Sequence, residues 1–388
     1  MDAKTVYLLV EPSIMTPIWH ANSIEGLKRS AAKQKRIVCQ IRSVEELDGG
    51  QMPLALVLIS TNNDWTSAAI DSCRQRNIRP IVIGCMPGKF GEDVSGTMYS
   101  SKSSVQEMLQ YFVSCGRKRV AMMGINENAT NDATKREAFL TAARQLGLSA
   151  TAKDIYCSNK GAVNTLEAFF DNIDQYDGVM CSNDYMAANV LSWCHDHGID
   201  VPGQLYVSGL GDTLLCRYSN PTLTSATRSY IQTGEQAFNI WKQLNGDPSI
   251  FAIVVVVQCE IKPRGSTAYS PLPGSGAVLT AASTPTSMPE GTVVAGVNAA
   301  RCLENCLTNC DEMDIRIIRG LLKGSSVEKI AEELFISVGT ARYRLKKLYS
   351  AANVAGKQEF MELFRRYIGN EKIFDDFTGN FEENNILD

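Results

Sequence analysis

The sequence predicts an α/β protein with two lobes of mostly parallel sheet, followed by a small all-α domain at the C-terminus. Three observations carry this. Short apolar runs alternate with amphipathic helical stretches from residue 4 to about 262; the composition turns to Gly, Ser, Thr, Pro and Ala over 264–298; and a helical period takes over from about 310. Helices alternating with short apolar strands imply βαβ units, and therefore parallel sheets.

The strand-like runs are 6–10, 37–41, 55–59, 80–84, 119–123, 177–181 and 205–209. Helical stretches lie between them at 18–35, 65–77, 102–115, 133–146, 162–172, 184–197 and 230–244. Gly116, Gly147 and Gly198 stand where three of these helices stop. The most apolar run, Phe251-Ala-Ile-Val-Val-Val-Val257, suits a buried strand. The expected organisation is a two-lobed sensor over 4–265, a flexible linker over 266–300, a helical domain over 301–369 and an acidic, unstructured tail over 370–388.

Composition narrows the class. A chain of 388 residues makes two domains, or three, and 44% apolar with 21% charged residues excludes wholesale disorder. No stretch approaches the ~18 apolar residues of a membrane span. The N-terminal apolar run is short and lacks a basic lead, so it reads as a first strand, and a cytoplasmic location is expected. The twelve cysteines read as free thiols, and three histidines (His20, His195 and His197) leave little for His-based catalysis or metal binding. No glycine-rich nucleotide loop and no GxSxG elbow is present, so neither an enzyme nor a cofactor is expected. The net charge of −4 speaks against nucleic acid for the chain as a whole, but charge acts through its distribution.

The C-terminal segment reverses that impression. Over 311–369 there are 11 Lys/Arg against 8 Asp/Glu, and the tail 370–388 holds six acids against one Lys. Asp311 can cap a first helix and Ser337 a third. A helix over about 327–334 puts Val327, Ile330, Ala331 and Leu334 on one face. After the turn Phe335-Ile-Ser, the next helix buries Ala341, Leu345 and Leu348 and presents Thr340, Arg342, Tyr343, Arg344, Lys346 and Lys347. This is a helix-turn-helix with a cationic second helix, of a width that fits the major groove of double-stranded DNA.

From Gly324-Ser-Ser-Val-Glu-Lys-Ile-Ala-Glu-Glu-Leu-Phe-Ile-Ser-Val-Gly-Thr-Ala-Arg342 and Leu345-Lys-Lys-Leu-Tyr349, the stretch 310–368 resembles the LuxR/FixJ-type DNA-binding domain. The resemblance implies that 338–347 face DNA, with base contacts from Val338, Thr340, Arg342 and Tyr343 and phosphate contacts from Arg342, Arg344, Lys346 and Lys347. It also implies a dimerising fourth helix, with Phe360, Met361 and Phe364 as the contact. Just upstream, Cys302, Cys306 and Cys310 line one helical face. A metal or redox site would need a fourth ligand or an outside partner. The plainer reading is small apolar packing.

From Gly116-Arg-Lys-Arg-Val-Ala-Met-Met-Gly124, followed in order by the segments 134–148, 176–189, 197–202, Val207-Ser-Gly-Leu-Gly-Asp212 and Asn220-Pro-Thr-Leu-Thr-Ser225, the remainder resembles the sensor domain of LacI/GalR repressors, which shares the periplasmic-binding-protein fold. The resemblance implies a ligand between the lobes, at strand C-termini, contacted by Trp19, Asn62 or Asn63, Lys135 or Arg136, Asn183, Asp184 and Asp212. Carboxylates and amides suit the hydroxyls of a sugar. The family's ligand-facing Asp is Gly211 here, and Asp212 follows it. Asn183-Asp184 can equally cap the helix that follows.

The reading that results is a bacterial-type, ligand-responsive transcriptional regulator that binds DNA as a homodimer, with its DNA-binding module held on a flexible linker. One alternative keeps the DNA-binding module and makes the sensor-like domain a dimerisation or docking scaffold without a small-molecule ligand. A sugar-processing enzyme or carrier is the alternative from another class.

Overall fold

The computed structural model describes residues 4–12, 17–50, 52–127, 130–227, 229–268 and 296–368. The chain forms two compact units, and it crosses between them three times, after Ser100, Thr227 and Cys259.

Unit 1 is built on a six-stranded sheet. Its strands are β1 (Thr5–Val10), β2 (Ile37–Ile41), β3 (Ala55–Ile59), β4 (Arg79–Ile83), β5 (Ser95–Tyr99) and β11 (Val254–Val257), in the order β11-β5-β4-β3-β1-β2 and all parallel. β3 lies mid-sheet and is buried at every residue, as a near-continuous apolar strand of a two-sided parallel sheet must be. The helices of this unit are α1 (Pro17–Lys33), α2 (Asn63–Gln75) and α8 (Tyr230–Gly246). α1 and α8 cross at glycines. A Cβ on Gly26 would lie 2.0 Å from the Ile231 carbonyl oxygen, and one on Gly234 would lie 1.9 Å from that of Ser23. Only residues without a side chain let the two backbones approach this closely.

One expectation fails here. The run 251–257 forms only the short strand β11, and Phe251, Val254 and Val256 are all exposed. β11 is an edge strand with one neighbour, so alternate valines face away from the core.

Unit 2 holds the second sheet and the C-terminal helices. Its strands are β6 (Val120–Ile125), β7 (Ile155–Cys157), β8 (Gly178–Cys181), β9 (Tyr206–Gly211), β10 (Thr224–Thr227) and β12 (Glu260–Lys262), in the order β12-β10-β9-β8-β6-β7. Only β12 runs antiparallel, against β10. Around the sheet stand α3 (Ser101–Ser114), α4 (Thr130–Gln145), α5 (Ala162–Phe170), α6 (Asp184–Asp196) and α7 (Leu215–Tyr218). The C-terminal helices are α9 (Gly296–Thr308), α10 (Glu312–Leu322), α11 (Val327–Glu333), α12 (Val338–Ala351) and α13 (Lys357–Ile368).

The bounds expected for the linker do not hold at either end. Ser266 and Thr267 are fully buried. The Ser266 hydroxyl donates to the Val207 carbonyl (2.6 Å) and accepts from Thr224 N–H (2.9 Å), and the Thr267 and Thr224 hydroxyls share a hydrogen bond at 2.6 Å. These small hydroxyl residues stitch the segment onto β9 and β10. At the other end, residues 296–300 already belong to α9. Residues 269–295 and the expected tail lie outside the described residues.

A larger correction concerns the C-terminal helices. The sequence places them apart from the sensor, yet they share one core with α6 and α7. Ala188, Leu215 and Tyr218 belong to the same buried cluster as Leu303, Leu307, Ile318, Leu345 and Phe360. Phe360, Met361 and Phe364, expected as an exposed dimer contact, are buried in that cluster at 1%, 7% and 1% exposure. Their apolar stripe is satisfied within the chain.

Candidate functional site

Two regions gather the expected functional residues. The first is the pair α11–α12 with its supports. The Ser326 side chain accepts from Lys329 N–H and caps α11, while Ser337 accepts from Thr340 N–H at 3.0 Å and caps α12. Between them Phe335 adopts a left-handed φ of 56° and closes the turn with its ring 96% exposed. Ala341, Leu345 and Leu348 are buried, as their spacing predicts. Thr340, Arg342, Tyr343, Lys346 and Lys347 are exposed and Val338 is half-buried.

Arg344 is placed differently from its neighbours. Its Nη1 lies 2.7 Å from Asp311 Oδ2 and 2.8 Å from Asp314 Oδ1, and the Asp314 carboxylate is almost fully buried. The side chain thus pins α12 to the capped start of α10, where Asp311 and Asp314 form a reciprocal capping box. Arg342 reaches Glu328 at 3.0 Å with both side chains largely exposed, a contact worth little in water. The face that remains for an outside partner is cationic and carries one tyrosine.

Cys302 and Cys306 on α9, and Cys310 just beyond its end, pack as small apolar groups. Cys306 and Cys310 are buried in the common core, Cys302 is half-buried, and all twelve cysteines are free thiols. Among the described residues no cluster of His, Cys, Asp or Glu could hold a metal ion. No helix among them is long and apolar enough to cross a membrane.

The second region lies at the strand C-termini, taken unit by unit. In unit 1, Asn62 is the N-cap of α2, accepting from Asp64 and Trp65 N–H, and Asn63 is the exposed first residue of that helix. The buried Glu11, unforeseen from sequence, accepts from the Ser60 hydroxyl (2.8 Å) and from Thr61 N–H (3.2 Å). Trp19 sits on α1, and its side chain lies outside the described residues.

In unit 2 two polar clusters form. Lys135, 7% exposed, reaches Asp132 at 2.7 Å and the Ser182 carbonyl at 2.9 Å. Arg136 beside it pairs with Glu137 at 3.5 Å. Asn183 caps α6 by accepting from Met186 N–H. Asp184 is buried, taking the Ser225 hydroxyl at 2.6 Å and Thr213 N–H at 2.9 Å. Burial pushes its carboxyl above the usual range, against the pull of those two hydrogen bonds. Asp212 forms an ion pair with Arg264 at 2.5 Å, and Arg264 also donates to the Leu223 carbonyl. Gly211 is explained by the same cluster. Its φ is +145°, and a Cβ there would meet Asp184 Oδ2 at 2.9 Å, so no side chain fits at this position.

Arg264, Asp132 and Ser225 were missed by sequence reasoning. Arg264 stands at the head of a segment whose composition reads as linker, and only its charge beside a strand end marks it. The two clusters offer ionic and hydroxyl groups of both signs at one end of the sheet, an arrangement able to meet a polar, hydroxyl-bearing molecule. Most of these groups are already paired with one another.

Residues 109–267 match the periplasmic binding protein-like domain. The chain is 24% identical over 207 residues to catabolite control protein A of Staphylococcus epidermidis, covering 52% of this chain and 61% of that protein. It is 24% identical over 131 residues to the HTH-type transcriptional regulator GalR of Escherichia coli, covering 33% and 38%. The chain thus spans less than two thirds of the length of these relatives. The fold is that of the transcriptional regulator CelR in its cellobiose complex (TM-score 0.57, 16% identity, 68% of this chain and 84% of that one). It is also that of CcpA of Lactococcus lactis (TM-score 0.56, 16% identity, 68% and 100%). The two-lobed, mostly parallel architecture therefore matches the periplasmic-binding-protein-like fold, and proteins similar to this chain are transcriptional regulators.

Proposed function

We propose that the chain is a cytoplasmic, ligand-responsive transcriptional regulator that binds double-stranded DNA through α12, working as a homodimer. The observation that carries this reading is the capped helix pair α11–α12 with an exposed face of Thr340, Arg342, Tyr343, Lys346 and Lys347. A helix so presented can enter a major groove, with Val338, Thr340, Arg342 and Tyr343 at base edges and the lysines on phosphates. Its spacing resembles the LuxR/FixJ type. Arg344 supports α12 from behind in this reading and does not touch DNA. The effector is a small polar molecule, sugar-like in its hydroxyls, held at the strand ends of unit 2 by the Asp212–Arg264 and Lys135–Asp132 groups. Structures similar in fold include one with cellobiose and one with sucrose bound.

The test is selection of duplexes from a randomised pool on the full chain, followed by mobility shift. Arg342→Ala with Lys346→Ala is expected to abolish the shift while the sensor keeps its thermal transition; an unchanged shift overturns the assignment. A second reading, a sensor-like domain serving only as a scaffold, is favoured by one observation: Asn62, Asn183, Asp184 and Asp212 all have internal partners. A thermal-shift screen of mono- and disaccharides and sugar acids separates the two, since the scaffold shows no shift with any of them.

A further inference from the structure

The loop that follows β9 is held from two sides. Asp212 N–H donates to the Ser225 hydroxyl oxygen at 3.0 Å, and Thr213 N–H donates to Asp184 Oδ2 at 2.9 Å. The next two N–H groups turn to the C-terminal module instead. Leu214 N–H donates to Glu304 Oε1 at 2.8 Å and Leu215 N–H to Glu304 Oε2 at 2.9 Å. Four successive amides are thus divided between the strand-end cluster and one carboxylate of α9, which is 2% exposed. The module is fastened to the same lobe at two further points. The Tyr367 hydroxyl donates to Asn189 Oδ1 at 2.9 Å, and Arg366 Nε donates to the Ser192 hydroxyl at 3.0 Å.

We infer that the 212–215 loop couples the strand-end cluster of unit 2 to the C-terminal module, with Glu304 as the positioning residue that follows the loop. The inference rests on the ligand-responsive reading above. Peptide planes are rigid, so Thr213 cannot shift by an ångström without carrying the Leu214 N–H with it. A buried carboxylate stripped of its donors is costly, so Glu304 must move with the two amides or lose them. Glu304 sits in α9, which lies against α12 in the shared core, where Cys306 Sγ contacts the Leu348 carbonyl at 3.7 Å. A polar molecule that draws Ser225 from Asp184, or Arg264 from Asp212, therefore displaces the base of the proposed DNA-binding helix. The outer face of α12 stays exposed while the module is docked, so control acts on the placement of that helix and not by covering it.

The test uses amide hydrogen exchange on the full chain and needs no effector. Ser225→Ala removes one donor of Asp184 and stands in for a competing ligand. It is expected to speed exchange of the Leu214 and Leu215 amides and of α9 about tenfold, as loss of a hydrogen bond to a charged group implies, while α4 in the same lobe is unchanged. In a Glu304→Gln background, which keeps the shape and weakens the acceptor, the added effect of Ser225→Ala on α9 is expected to fall below twofold. Equal effects in both backgrounds, no effect on α9, or an equal rise in α4 each overturn the coupling. A chain that binds neither duplex nor saccharide yet shows the non-additive exchange refutes the functional reading alone; one that binds both with additive exchange refutes this inference alone.

Discussion

Replacing Arg344 by Ala separates a structural cation from the DNA-facing ones. Its guanidinium contacts Asp311 at 2.7 Å and Asp314 at 2.8 Å; side-chain exposure is 28% for Arg344, 46% for Asp311 and 1% for Asp314. A fully exposed pair is worth about 0–1 kcal/mol, and breaking a buried one costs about 3–5 kcal/mol. This pair is half one and half the other, because Asp314 alone is left without its cation in the dry interior. The expected loss is therefore about 2–3 kcal/mol, against under about 0.5 kcal/mol for Lys347→Ala at an exposed site. Amide exchange of α10 and α12 in the full chain reads this as protection falling roughly 30- to 150-fold. Asp314→Asn placed in the Arg344→Ala chain should recover part of the loss, since it removes the stranded charge. A loss below about 0.5 kcal/mol for Arg344→Ala would show that the side chain does not hold α10 and α12 together.

Other expectations follow from the same geometry. Lys346→Ala should lower the slope of log binding constant against log salt by about 1, while Arg344→Ala leaves the slope of the folded chain unchanged, as mobility shifts across a salt series would show. Burial pushes the Glu304 carboxyl up to about 7 against the pull of the Leu214 and Leu215 N–H groups, with Asp184 raising it further and Arg217 opposing. Cys216 is a further titratable group that interacts with it. The folded chain then holds a proton that the unfolded one sheds near 4.5, so this contribution is fully present below pH 4.5 and is lost as pH rises through 7. It amounts to at most about 3 kcal/mol, and Glu304→Gln should flatten the opening free energy of α9 across pH 5–8. Gly234→Ala must push its Cβ into the Ser23 carbonyl and should cost unit 1 about 3 kcal/mol; Gly246→Ala, where the added Cβ meets nothing within 4 Å, is the control in a thermal melt.

Much of the fold was legible because its signals are local. The strands at 37–41 and 55–59 are apolar runs flanked by turn residues, and they appear with those bounds. β5, β7, β10 and β12 were missed, being short and in part built of Gly, Ser and Thr; their strand character comes from neighbours distant in sequence. The Ser337 cap and the buried stripe of α12 were readable from spacing, but the role of Arg344 was not, because Asp311 lies 33 residues away. Glu304 did leave a trace. It stands at i+4 from Ala300 and i−3 from Leu307, an acid on an apolar helical face, and such a residue needs a buried partner. That the partner is a pair of loop amides in the sensor-like lobe could not be read from periodicity, and neither could the docking of the whole module.

The discontinuous build of unit 1 governs how the protein can be made. Residues 1–100 leave the ribosome well before 228–259, which hold α8 and β11. Until then the α1 glycine groove has no occupant and the outer edge of β5 has no partner strand. At about 5–20 residues per second, the wait from residue 100 to residue 259 is roughly 8–30 seconds. During that interval the nascent chain exposes an open strand edge and an apolar helix face, the kind of surface that chaperones bind and that neighbouring chains on a polysome can pair with. Synthesis of unit 1 is thus complete only after most of unit 2's sheet strands have already emerged.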